Sequence, residues 1–338
     1  MVVRVGINGF GRVGRSVLRA ALERTSQGAP EVRVVAVNDI APPATLAHLL
    51  EFDSTFGRLR RQVAHTGEAL VIDGVSVPVS AERDPAAVRW GRHDADLVIE
   101  STGRFREREA AAVHLAGGAR KVIVSAPGKG VDATVVMGVN ESLYDPRTHH
   151  VVSAASCTTN CVVPMVSVLH RRFGISKGLM TTVHGYTNGQ ALLDGPHKDL
   201  RRGRSAALSI IPTSTGAARA VGVVVPELDA ALDGLALRVP VEDGSLTDLT
   251  VMLREEADAA RVNAAFAEAA AGPLRGVLRV SEAPIVSRDV IGDPASCVFD
   301  PELTMTHGEL VKVFGWYDNE WGYANRLLDL ASHIAAQE

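Results

Sequence analysis

Short apolar runs alternate along the first half of this chain with stretches in which apolar residues recur every three or four positions, the signature of strands and helices taking turns. Residues 2–7 read as a strand, and Val13, Val17, Leu18 and Ala21 then share one face of a helix. Strand patterns follow at 32–37, 95–101, 121–125 and 151–155, and an apolar segment containing Val162, Val163, Met165 and Val166 predicts a helix to about residue 173. Further on, 179–184, 235–239, 249–253, 277–280 and 311–316 read as strands, with an alanine-rich helix over 257–271. Residues 319–338 put Tyr323, Leu327, Leu330 and Ile334 on one helical face, which predicts a helix packing back on the first domain.

Gly9, Gly11 and Gly14 form a GxGxxG turn between the first strand and the first helix. Glycines there permit a tight turn, close backbone approach to a pyrophosphate and close packing of helix on strand. Alone the motif says little. The second strand, however, runs into Asn38-Asp39, which sets a carboxylate where it would bond the adenosine ribose hydroxyls. Together they predict a dinucleotide-binding unit that takes NAD, with Asp39 repelling the extra phosphate of NADP. Ser125 and Thr102 close later strands on the same side, and Arg83 stands in a polar loop within possible reach of the adenine or its phosphates.

Composition narrows the choice. A chain of 338 residues with 46% hydrophobic content is long enough for two domains. A net charge of −4 supplies no global basic field, so neither nucleic acid nor a membrane surface is an expected partner. Three cysteines make no disulfide framework, no leader precedes the first strand, and no apolar run is of membrane-spanning length, so a cytoplasmic protein is expected.

The chemistry concentrates at Ser156-Cys157-Thr158-Thr159-Asn160-Cys161. A cysteine where a strand gives way to a helix sits at the positive end of the helix dipole, which favours thiolate. Cys161, one turn on, reads as a buried hydrophobe, and with Cys297 distant no metal site is expected. His184 ends a strand ahead of a polar loop and is the candidate base. Arg238 lies inside an apolar strand, where an unpaired guanidinium is costly and an anion is its natural partner. Thr213-Ser214-Thr215-Gly216 offers hydroxyls and amides to a phosphate, although helix capping explains these residues as well.

At this point three segments carry a resemblance over the whole chain: Ile7-Asn8-Gly9-Phe10-Gly11-Arg12, Ala155-Ser156-Cys157-Thr158-Thr159-Asn160-Cys161, and Trp316-Tyr317-Asp318-Asn319-Glu320-Trp321-Gly322-Tyr323. Joined to His197-Lys198-Asp199-Leu200-Arg201-Arg202 and Ser209-Ile210-Ile211-Pro212, they resemble the phosphorylating glyceraldehyde-3-phosphate dehydrogenases. The resemblance implies an α/β chain: a Rossmann domain over 1–156 and 319–338, and an α+β catalytic domain over 157–318. It implies a homotetramer acting on glyceraldehyde 3-phosphate, NAD and inorganic phosphate. Cys157 would be the nucleophile and His184 its base. Gly9, Gly11, Arg12, Val13, Gly14, Asp39, Arg83, Ser125 and Asn319 would contact NAD. Ser156, Thr158, Thr215 and Gly216 would hold one phosphate and Thr187 and Arg238 the other, with Arg202 in the same region. Erythrose-4-phosphate dehydrogenase is the nearest alternative.

Several positions depart from the family pattern. Ala154 stands where Asn is usual, Gly189 where Asp is frequent, Gly195 where many bacterial members have Leu, and Val241-Glu242-Asp243 where many have Thr-Pro-Asn. They predict altered sensitivity to reagents that alkylate Cys157, as in an inhibitor-tolerant paralogue.

Overall fold

The strand Val3–Asn8 is buried at every position but Arg4, as expected of a strand covered on both faces of a parallel sheet. In the computed structural model, which describes residues 2–27 and 32–338, it lies inside a nine-stranded sheet. To one side run Val32–Asn38 and Val75–Ser80, and to the other Leu97–Glu100, Lys121–Val124, Val151–Ser153 and Ala133–Thr134, all parallel. The antiparallel strands Val63–His65 and Ala69–Ile72 extend one edge. Because the chain leaves Val3–Asn8 in one direction and returns in the other, a crevice opens at the carboxyl ends of the central strands.

The chain divides into two units, and this sheet belongs to the first: Met1–Val135, Glu141–Ala155 and Ala324–Glu338. Most of the helix Trp321–Gln337 therefore returns to it, with Leu327, Leu330 and Ile334 buried. Arg24 fastens it, donating to Asn325 Oδ1 at 2.8 Å and to Asp329 at 2.6 Å.

The second unit, Val136–Asn140 and Ser156–Tyr323, is built on a mostly antiparallel sheet. Its order is Ile211–Ser214, Leu232–Val239, Ile175–Gly185, Ser245–Leu253, Leu310–Tyr317, Cys297–Phe299, Leu278–Val280. Strict alternation of burial along Ser245–Leu253 shows that one face is covered. The covering helix, Cys157–Phe173, approaches so closely that a Cβ on Gly315 would lie 2.7 Å from Met165 Sδ and 3.2 Å from Cys161 Sγ. Among the described residues no helix is long and apolar enough to cross a membrane.

Candidate active site

At the carboxyl ends of Val3–Asn8, Val32–Asn38 and Leu97–Glu100 the first unit holds a cavity of about 390 Å³, lined in part by Gly9, Gly11, Asp39, Arg83 and Thr102. Gly9 has φ +91°, and a Cβ there would lie 2.7 Å from the Thr102 amide nitrogen. A Cβ on Gly14 would lie 2.3 Å from the Gly9 carbonyl oxygen, so helix and turn meet only because both residues are glycine. On Gly11 the same atom would meet nothing within 4 Å. The turn is thus bare toward the cavity, and the start of the helix Arg12–Ser26, where Val13 lies, is its anion-attracting end.

Asp39 is held at the rim by two backbone donors, Phe10 N–H to Oδ2 at 2.7 Å and Ala41 N–H to Oδ1 at 2.9 Å. Two expected contacts point elsewhere. The Arg12 guanidinium pairs with Asp53 and lies over the Phe56 ring, and the Ser125 hydroxyl donates to the Glu100 carbonyl at 2.9 Å. A bare glycine turn, a helix start and a fixed carboxylate fit a dinucleotide, with pyrophosphate at the turn and ribose at Asp39.

Beneath the cavity lies a polar network that no local sequence signal marks. Buried Glu100 accepts from Asn8 Nδ2 at 2.5 Å, from the Thr102 amide at 2.8 Å and from His114 Nε2 at 3.0 Å. The Trp90 indole N–H donates to His114 Nδ1 at 3.0 Å, which leaves the ring's proton on Nε2, aimed at Glu100. Asn38 Nδ2 in turn donates to Asn8 Oδ1 at 2.8 Å, so the ends of three strands are tied together.

In the second unit Cys157 opens the helix Cys157–Phe173. Ser156 caps it, its hydroxyl accepting from the Thr159 amide at 3.1 Å. The Cys157 sulfur is 3.5 Å from His184 Nε2. His184 lies one residue from the end of Ile175–Gly185, and the neighbouring parallel strand sets Arg238 in register with it. Side chains in register on parallel strands point to the same face, so Arg238 Nη1 reaches to 2.6 Å from His184 Nδ1 and donates to the Gly185 carbonyl at 2.9 Å.

Burial works against the ionisation expected from helix position alone. Burial pushes the Cys157 thiol up to about 11, against the Arg238 charge and the hydrogen bonds from Thr158 that favour thiolate. The side chain keeps partial access to solvent, which limits that penalty. Burial, and then Arg238, pull His184 down to about 3. In the ligand-free pair burial favours a thiol beside a neutral imidazole, against a helix terminus that contributes at most about 2 kcal/mol to the thiolate. A neutral imidazole is the form that accepts a proton.

Tyr317, part of a quoted motif but not among the expected site residues, clamps the pair from below. Its hydroxyl is 2.9 Å from Thr158 Oγ1 and 2.8 Å from Thr182 Oγ1, and its ring meets His184 edge-on. Asn319 is buried, its side-chain carbonyl accepting from Ser245 Oγ at 2.5 Å while Ser245 Oγ accepts from the Gly185 amide at 3.2 Å.

Around Arg238 the anion-binding candidates fall into two groups. Arg202 is near enough for its charge to depress Arg238, although burial does so more, and it donates to Thr213 Oγ1 at 2.8 Å. Thr187, Thr215 and Gly216 lie on loops: Thr187 and Gly216 are exposed, and Thr215 Oγ1 accepts from the Ala217 amide at 3.2 Å, at the start of the helix Ala217–Val224. No carboxylate pairs with Arg238 among the described residues.

Comparison with known proteins agrees over the full length. Residues 3–108 match the glyceraldehyde 3-phosphate dehydrogenase NAD binding domain, and residues 156–319 match the C-terminal domain of the same family. The chain is 57% identical to glyceraldehyde-3-phosphate dehydrogenase of Streptomyces coelicolor, with all of both chains covered. It is 55% identical to the Geobacillus stearothermophilus protein of that name, covering 100% of this chain and 99% of the relative. Glyceraldehyde-3-phosphate dehydrogenase 1 of Bacillus subtilis is likewise 55% identical, over 99% of each. With both domain types matched in order and a sulfur, an imidazole and a guanidinium gathered on one sheet end, the chain belongs to the glyceraldehyde-3-phosphate dehydrogenase family.

Proposed function

We propose that this protein oxidises and phosphorylates D-glyceraldehyde 3-phosphate to 1,3-bisphosphoglycerate, using NAD and inorganic phosphate. The observation that carries the reading is the Cys157 sulfur 3.5 Å from a neutral His184, with a guanidinium lacking a carboxylate beside them. NAD, when bound by Gly9, Gly11, Asp39 and the first helix, supplies the hydride acceptor; Arg83 and Asn319 are its further contacts in this reading. Cys157 Sγ adds to the aldehyde carbon, and His184 Nε2 takes the proton released as the resulting thiohemiacetal is oxidised to a thioester. Phosphate displaces the acyl group and returns the sulfur. The Cys157 amide and protonated His184 face the developing oxyanions, each donor contributing roughly 3 kcal/mol in comparable sites.

The histidine tautomer supports an anion at Arg238. Nδ1 lies 2.7 Å from the Gly185 carbonyl and 2.6 Å from Arg238 Nη1, and it cannot both donate to the first and accept from the second. A base at Nε2 requires the proton on Nδ1, donated to Gly185. An anionic substrate engaging Arg238 removes the competing donor and selects that tautomer. Thr187 would share this anion, while Ser156, Thr158, Thr215, Gly216 and Arg202 would serve the second phosphate, Thr158 through its amide.

Four copies assemble in this reading, and the protein works in the cytoplasm. Leu200 is 85% exposed and Leu208 82%, with Leu192, Leu193 and Ile210 also open in the same loop region, and contact between copies would cover them. Light scattering is expected to give the mass of a tetramer.

The test is NADH formation from D-glyceraldehyde 3-phosphate and NAD, with and without inorganic phosphate. Turnover is expected to require phosphate and to vanish in Cys157→Ser. Equal turnover without phosphate would instead indicate a dehydrogenase that hydrolyses its thioester, as an erythrose-4-phosphate dehydrogenase would.

A further inference from the structure

Behind the sulfur and imidazole two buried carboxyl groups meet. Asp243 and Asp318 are 2% and 1% exposed, and their side chains are within hydrogen-bonding reach of each other. Asp318 is saturated with donors: Oδ2 accepts from the Gly292 amide at 2.7 Å, and Oδ1 from the amides of Glu320 at 2.8 Å and Trp321 at 2.6 Å. Asp243 is not. Its Oδ1 accepts from the Gly244 amide at 2.8 Å and the Asn319 amide at 3.2 Å, but its Oδ2, also buried, has no partner.

Two carboxylates so close, with no cation paired to either among the described residues, cannot both be ionised. One proton on Asp243 Oδ2 supplies the missing donor and converts repulsion into a charge-assisted hydrogen bond to Asp318. Asp318, with three amides directed at it, is the member that keeps the charge. The other charged or titratable groups around Asp243 come from each neighbouring segment. Glu242 precedes it and is paired to Arg288, Glu320 follows Asp318, and Cys157, His184 and Arg238 lie on the reacting side.

The same carboxyl sits at the root of a chain of contacts. Asp243 Oδ1 holds the Asn319 amide, Asn319 Oδ1 accepts from Ser245, and Ser245 Oγ accepts from the Gly185 amide next to His184. A negative charge at Asp243 would also raise the Cys157 thiol, a smaller effect than burial, so a neutral Asp243 spares the sulfur that repulsion. We propose that Asp243 is a positioning residue that works as a neutral acid, sharing its proton with Asp318 and thereby keeping Asn319, Ser245 and Gly185 in place behind Cys157 and His184. Only its kinetic readout rests on the reaction proposed above.

Burial, and then the charge of Asp318, push Asp243 up to about 9. Between the ordinary carboxyl value of about 4 and that limit, the folded chain keeps a proton that the unfolded chain has lost. Stability from this group is therefore complete below about pH 4 and falls as pH rises toward 9. Asp243→Asn keeps the volume, an acceptor for the two amides and an N–H donor for Asp318, and has no proton to lose.

The experiment compares thermal unfolding of native protein and Asp243→Asn from pH 5 to pH 10. Relative to native, the Tm of the variant is expected to rise with pH, by roughly 5 °C or more at pH 9, and to level off above it. Infrared difference spectra of the native protein are expected to show the C=O band of a neutral carboxylic acid at pH 7, fading near pH 9 and absent from the variant. The alkaline limb of kcat/KM should move to higher pH in the variant. A Tm difference that stays flat from pH 5 to 9, or no acid band at pH 7, overturns the proposal. The band is read on native protein alone, so a variant that fails to fold leaves the test in place. Neither Tm nor the band requires turnover, so absence of activity would count against the reaction and not against the shared proton.

Discussion

The nucleotide cavity and the sulfur site are finished by different means. In the first, carboxyl groups are met by donors before any ligand arrives: Glu100 by Asn8, Thr102 and His114, Asp39 by the amides of Phe10 and Ala41. Its shape is set by glycines whose missing Cβ atoms leave room for backbone. In the second, burial holds the thiol and imidazole in their neutral forms, Arg238 lacks a carboxylate, and one oxygen of Asp243 lacks a partner. The cavity is preorganised by packing and hydrogen bonds. The sulfur site is electrostatically incomplete, which is how a site that receives anions avoids holding one of its own. Volume changes should therefore disturb the first, and charge changes the second.

Arg238→Met gives the largest effect. It removes charge-assisted hydrogen bonds worth about 1.5–3 kcal/mol, so kcat/KM for the phosphorylated aldehyde should fall roughly 10- to 100-fold. It also removes the second cause of the low His184 value, so the acid limb of the rate profile should move to higher pH. An acid limb that stays put would mean the guanidinium does not act on the ring, and the contrast between the sites would lose its electrostatic half.

A pair of glycine substitutions examines the other half. Gly14→Ala drives a methyl to 2.3 Å from a backbone carbonyl, and should cost about 1–3 kcal/mol of stability as overpacking. Gly11→Ala meets no protein atom, so the Tm without ligand should be unchanged while affinity for NAD falls about tenfold, or about 1.4 kcal/mol. Calorimetry with and without NAD separates the two. Equal losses of Tm would show that Gly11 serves the fold and not the ligand.

How much of this was legible in the sequence follows the same division. The glycine turn and Asp39 obey local rules, and both line the cavity. Cys157 and His184 were distinguishable by position at element ends, and Arg238 by the cost of an unpaired guanidinium in an apolar strand. Their meeting depends on the register that sets residue 184 opposite 238, a tertiary fact with no local trace. Burial was also invisible, and it opposes the ionisation that the helix start predicted for Cys157. Glu100 looked like the polar end of a strand and Asp243 like one acid in a polar loop, since neither partner is near in sequence. Boundaries failed where local conformation broke the pattern. Ala155 takes φ +56° and leaves Val151–Ser153 as the strand, while Ser176 and Lys177, both exposed, hid the first residues of Ile175–Gly185.

The smallest predicted effect tests where the two kinds of construction meet. Thr158 carries one hydroxyl, and it serves two neighbours: the Tyr317 hydroxyl at 2.9 Å and the Cys157 sulfur, whose thiolate it favours. One proton can satisfy both only if Tyr317 donates to Thr158 and Thr158 donates to sulfur, which leaves Thr182 donating to Tyr317. Thr158→Val removes that relay at nearly constant volume. It should lower stability by about 1 kcal/mol, because Tyr317 retains Thr182, and should raise the thiol above its value of about 11. The alkylation rate of Cys157 by iodoacetamide at pH 8 should then drop a few-fold. Tyr317→Phe leaves Thr158 free to keep donating to sulfur, so its alkylation rate should change less than that of Thr158→Val. The opposite order would mean the hydroxyl points at the tyrosine and the sulfur relies on the Thr158 amide alone.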